Sequence, residues 1–160
     1  MRVLRTRLAA LRFVALAAAP FAIGCGDDPA APATDPLIGS WAYQVAAAGG
    51  GYTCDVTSIS LTFQRSGSIH SGTIAATGTD NLVCTSQSGT QSSAFNGTAP
   101  LGDVTLEGNN VAFVIGSLAG DWTHSGSVNG ATMSGSGTIL LNISGSVVTL
   151  TGDWSAQRTK

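Results

Sequence analysis

The sequence predicts an all-β, antiparallel fold: an up-and-down meander of about eight or nine strands that closes into a barrel, placed after a cleaved N-terminal segment. Three observations carry this expectation. From Leu37 onward no stretch has a helical period. Short runs alternate apolar and polar residues, with Gly, Ser and Thr between them. The connections are short, and one of them contains Asn129-Gly130, a dipeptide suited to the two positive-φ positions of a type I′ hairpin turn. A long meander with one apolar face best satisfies its edges by closing on itself. A β-sandwich is the alternative architecture.

The chain opens with Arg2, Arg5, Arg7 and Arg12 and no acid, followed by an uncharged, mostly apolar run over residues 13–24. That is the charged head and apolar middle of a signal peptide. A membrane-spanning helix needs roughly 20 apolar residues, and this run is shorter, is interrupted by Pro20 and stops at Cys25, with Asp27 and Asp28 just beyond. Its end, Ala22-Ile23-Gly24-Cys25, resembles the bacterial lipobox, although the family usually has Leu where Ala22 stands. The resemblance implies removal of residues 1–24 and lipidation of Cys25 with more than one acyl chain, palmitate among them. Each buried methylene contributes about 0.8 kcal/mol, so one modified residue replaces a membrane helix. Gly26 stands where some bacteria use Asp to retain lipoproteins in the inner membrane, so the implied address is the cell envelope, at the outer membrane, on its periplasmic face or the cell surface. The alternative is ordinary secretory cleavage around Ala19, leaving a soluble protein with a spare thiol.

Residues 25–36 follow as the lipidated cysteine and a tether rich in Pro, Ala and Asp without hydrophobic period. The domain occupies residues 37–160. Removal of the first 24 residues leaves three cations, Arg65, Arg158 and Lys160, against nine acids, a formal charge of −6. So acidic a surface argues against nucleic acid as a partner.

Within the domain an opening strand is read over residues 37–45. Further strands are read around Ile59, Leu61 and Phe63, over 69–76, over 82–86, around Val104 and Leu106, and around Val111, Phe113 and Ile115. Trp122, His124, Gly126 and Val128 alternate along the next strand. Residues 131–143 place Met133, Gly135, Gly137, Ile139, Leu141 and Ile143 on one face, and 147–158 do the same with Val148, Leu150, Gly152, Trp154, Ala156 and Arg158. Residues 65–68, 77–81 and 108–110 read as turns. The stretches 46–52 and 89–100 lack alternation and read as mobile loops.

In an exported chain Cys54 and Cys84 are a candidate disulfide once Cys25 carries lipid. Gly39-Ser40-Trp41 in the first strand and Arg158 in the last resemble the lipocalin-like and avidin-like barrels. That resemblance implies a structural pair in which Arg158 packs over Trp41, worth roughly 0.5 to 2 kcal/mol. Gly-x-Trp recurs as Gly120-Asp121-Trp122 and Gly152-Asp153-Trp154. The polar ligand-contact pattern by which avidins would bind biotin is absent.

No catalytic residues and no metal or cofactor site are expected. His70 and His124 are the only histidines, and each has an ordinary reading as a hydrogen-bonded or rim residue. No Gly-x-Ser-x-Gly elbow is present for a hydrolase, Asp103 and Glu107 lack EF-hand spacing, and no Cys-x-x-Cys exists. Trp122, His124, Trp154, Phe63, Phe113 and Tyr43 are the candidate lining of an apolar cavity, because the inward glycines Gly126, Gly135, Gly137 and Gly152 leave volume beside them. The competing account of those glycines is that they let strands bend where the barrel closes. Two functions follow as expectations: a cell-envelope lipoprotein that binds a small apolar ligand in its barrel, or a structural or interaction module that contacts another envelope component. The partners are accordingly the membrane, through the N-terminal lipid, and either that ligand or an envelope protein.

Overall fold

The computed structural model describes residues 34–159 apart from Phe95, Leu118, Ala119 and Ser144. The signal segment, Cys25 and most of the tether lie outside the described residues. Among those residues every regular element is a strand: β1 (Gly39–Gly49), β2 (Tyr52–Ser66), β3 (Ile69–Ala76), β4 (Leu82–Ser86), β5 (Gly89–Ser93), β6 (Gly97–Glu107), β7 (Asn110–Ile115), β8 (Trp122–Asn129), β9 (Thr132–Ile143) and β10 (Ser146–Arg158). All pairings are antiparallel. Strands β1, β2, β3, β6, β7, β8, β9 and β10 follow one another around a ring that the β1–β2 pairing closes. The fold is an all-β closed barrel, and the sandwich alternative falls.

Ten strands stand where eight or nine were expected, and the strand not read from the sequence is β5, which completes the β4–β5 hairpin. It interrupts the meander: β3 pairs with residues 59–66 of β2, and β4 pairs with residues 52–56 of the same strand. The two therefore lie end to end along one edge of β2. The exchange of neighbours falls at a bulge, where the register passes from Tyr43↔Ile59 to Val45↔Val56. Ser58 takes φ 58° there, and the Thr57 amide donates to the Asn81 carbonyl at 2.9 Å. A bulge frees one residue from the ladder and sharpens the bend. The Cys54–Cys84 disulfide, across directly opposed residues, staples the hairpin to the ring. For a sequence separation of 30, loop-closure entropy puts its contribution at about 3 to 4 kcal/mol.

Two stretches read as loops, 46–52 and 89–100, are mostly strand, the first apart from the turn at Gly50-Gly51. β1 continues through Ala46, Ala47 and Ala48 because alanine supplies no contrast along the sequence, yet Val45 and Ala47 are buried while Ala46 and Ala48 face water. Residues 89–93 are all small or polar and exposed, and backbone pairing with β4 extends them. The β8–β9 turn also differs: Asn129 belongs to β8 and pairs with Thr132, so Gly130-Ala131 is the connection. Only Gly130 has positive φ, 60°, which is the requirement of a type II′ turn.

The inward face carries the core, with Trp41, Trp122, Trp154, Phe63, Phe113, Leu61 and Leu150 fully buried. The outward positions of β8, β9 and β10 are polar, among them Thr123, Ser125, Ser134, Ser136, Thr151 and Asp153. The two ends differ. The base holds the tight turns β2–β3, β6–β7 and β8–β9 and the point where the chain enters at Asp35–Ile38. The opposite mouth holds the β4–β5 hairpin and the connections β5–β6 and β7–β8.

Candidate functional site

The six residues read as a cavity lining are drawn into the barrel, where most of them form one packed aromatic cluster. Phe113 stacks on His124 with ring centroids 4.6 Å apart and planes 4° from parallel. Trp154 meets Phe113 edge-on at 5.3 Å and His124 at 6.0 Å. Tyr43 meets His124 at 5.6 Å, and Phe63 meets Phe113 at 5.7 Å. Trp122 sits nearer the mouth, its indole N–H donating to the Leu140 carbonyl at 2.9 Å.

The volume ascribed to the inward glycines is occupied. A Cβ on Gly126 would lie 2.7 Å from Trp154 Cζ2 and 2.2 Å from the Ser134 carbonyl oxygen. On Gly135 it would fall 2.0 Å from the Ser125 oxygen, and on Gly152 2.0 Å from the Ala46 oxygen. Strands β8, β9, β10 and β1 therefore approach one another more closely than any side chain allows. The Trp154 indole lies over the β8–β9 glycines and donates to the carbonyls of Ser125 and Ser136, at 3.2 and 3.1 Å. The glycines serve closure and close packing, and the expectation of spare volume beside them is corrected.

One polar pair is built into this core. Tyr43 Oη and His124 Nε2 are 2.6 Å apart, and both residues are buried. Burial lowers the His124 pKa to about 4 and raises that of Tyr43, so at neutral pH both are uncharged. The Trp122 backbone beside the ring opposes the His124 shift without overcoming it. Among the described residues the ring's Nδ1 meets no hydrogen-bond partner of good geometry. The pair ties β1 to β8 across the core.

At the mouth a cleft of about 200 Å³ is floored by Ile59, Ile74, Ala76, Ile115 and Trp122 and rimmed by Asn96, Thr98 and Ser117. Among the described residues, larger depressions of about 530 and 430 Å³ lie along the outer wall, edged by Thr123, Ser136 and Asp153 and by Gln44, Ser134 and Gln157.

The base is closed from below. Leu37 is fully buried, its carbonyl accepts the Trp41 indole N–H at 3.0 Å, and the Arg158 guanidinium lies 4.2 Å from the Trp41 ring centroid. Arg158 also donates to the carbonyls of Ile38 and Pro36, so it clamps the entering chain beneath the barrel. Beside this clamp is a cluster not read from the sequence. Asp35 Oδ2 is 2.7 Å from His70 Nε2 and 3.3 Å from Arg65 Nη1, while its Oδ1 accepts the Leu37 amide. Burial pushes the Asp35 pKa up, but the hydrogen bonds from His70 and Leu37 and the charges of His70 and Arg65 outweigh it and hold the carboxyl below its ordinary value. His70 and Asp35 stand 35 positions apart, and the only local signal was an acid placed just before the first buried residue. Among the described residues no group of three or more His, Cys, Asp and Glu is placed to hold a metal ion.

No protein-family model, no curated protein and no solved structure matches this chain.

Proposed function

We propose that this chain is an exported lipoprotein, with residues 1–24 removed and Cys25 lipidated, whose barrel serves as a solid structural or interaction module of the cell envelope. The observation that carries the second half is the filled interior. Small-molecule pockets generally begin near 300 Å³, and among the described residues the mouth cleft floored by core residues measures about 200 Å³. The first half is supported by the basic head, the short apolar run and Gly24-Cys25. The clamp of Arg158 on Trp41 and on the carbonyls of Pro36 and Ile38 fixes the chain where it enters the barrel, which suits a domain held from its base.

A small apolar ligand at the mouth is the second reading, favoured by the isoleucine and tryptophan floor of the cleft. Gly39-Ser40-Trp41 with Arg158 supports the lipocalin-like likeness as a matter of fold and adds no ligand.

Expression of the full chain in a bacterial host fed labelled palmitate, followed by native mass spectrometry of the purified protein, tests both halves. Label that disappears in Cys25→Ser, with no noncovalent adduct on the wild type, is the expected result. Absence of label would remove the anchor, and an extractable adduct of discrete mass would replace the module with the ligand reading.

A further inference from the structure

We infer that the outer edge of β5 pairs with the same edge of a second copy of this chain. The inference deepens the module reading and rests on it, since the membrane is what brings the copies together. Around the ring each strand has a neighbour on both sides, whereas β5 ends the sheet order with β4, among the described residues, as its one neighbour. Exposed edges are usually blunted by charge, proline or a bulge. β5, Gly89-Thr90-Gln91-Ser92-Ser93, has none of these, and every residue of it is exposed. In a mature chain with nine acids, residues 81–102 carry no charge at all, so two copies meet here without local repulsion.

The register identifies which backbone groups are on offer. Directly opposed Cα atoms about 4.5 Å apart mark a pair that exchanges no hydrogen bonds, and Cys54 and Cys84 are 4.0 Å apart. The backbone groups of Cys84 therefore face Gln91 on β5, its partner on the other side. By alternation, the N–H and C=O groups of Thr90 and Ser92 point outward. Antiparallel self-pairing centred on Gln91 sets Thr90 against Ser92 of the second copy and Ser92 against its Thr90, so all four outward groups are satisfied. A foreign strand would find the same four groups, but the two-fold register and the uncharged segment match a second copy. The disulfide already holds β4 in place, which lowers the ordering cost. A strand this short covers far less than the roughly 1,000 Å² of a stable interface, so pairing depends on the high local concentration of anchored copies.

The test is disulfide trapping in the full chain in bacterial envelopes, read on non-reducing gels. Gln91→Cys is expected to give a reducible homodimer about tenfold more abundant than Gln44→Cys, an exposed position on β1 between two neighbours. Adding Thr90→Pro, which removes one outward donor and leaves the β4 pairing, is expected to cut the dimer several-fold. A Gln91→Cys dimer no more abundant than that of Gln44→Cys, a dimer indifferent to Thr90→Pro, or trapping of a different protein instead overturns the inference. Palmitate labelling of the same samples reports the anchor separately. If label is absent, the same comparison on purified chain at millimolar concentration decides the edge alone.

Discussion

Tyr43 and His124 show how much a single contact inside this barrel weighs. Their strands are distant in the chain, and the bond joins residues 81 positions apart. Replacing one partner leaves the other buried and unpaired, at a cost of about 1 to 3 kcal/mol, whereas replacing both removes the unmet demand. Tyr43→Phe and His124→Leu are each expected to lower stability by that amount in urea unfolding, and the double variant to lose distinctly less than the two losses combined. The pair also fixes a pH dependence. His124 is held near 4 in the folded chain against an ordinary 6.5, so the unfolded state takes up a proton first on acidification. Stability is then full above about pH 6.5 and falls by about 3 kcal/mol as pH drops toward 4. The Asp35 contribution disappears only below the ordinary range of its carboxyl. His124→Leu is expected to flatten the loss between pH 6.5 and 4 and to leave the acidic limb in place. Strand parity in the sequence was enough to turn His124, Trp122 and Trp154 inward. Their partners could not be read, because alternation gives a face and says nothing of which distant strand faces it.

At the scale of elements, strands were legible wherever apolar and polar residues contrast. β8, β9 and β10 follow their expected faces residue by residue. The signal failed where side chains are uniformly small: along Ala46, Ala47 and Ala48, and in β5, where backbone pairing rather than burial makes the strand. It failed differently at the inward glycines, since a missing side chain reads equally as empty space or as close approach. The distances decide for approach, and a pair of substitutions checks it. Gly152→Ala brings a Cβ to 2.0 Å from a backbone oxygen and is expected to cost about 1 to 3 kcal/mol or more through overpacking. Gly102→Ala meets nothing closer than 3.6 Å, at Val114 Cβ, and is expected to stay within about 0.5 kcal/mol, as ordinary surface substitutions do. Thermal unfolding of the two variants side by side separates these outcomes.

For the whole molecule, closure and filling go together. A ring of eight strands is narrow enough for side chains to fill, and this one is filled by large rings laid over glycine. Closure was legible from the short connections, but the return of β4 onto β2 was not, because residues 77–81 look like any other turn and only the pairing reveals the insertion. The molecule that results has a base clamped around the entering chain and a mouth bearing its longer connections. Xenon-pressurised crystallography probes the filled interior without disturbing it, since xenon enters dry apolar cavities that admit a small ligand. No xenon is expected among Phe113, His124 and Trp154, with any bound atom confined to the mouth cleft. An ordered xenon within that aromatic cluster would contradict it.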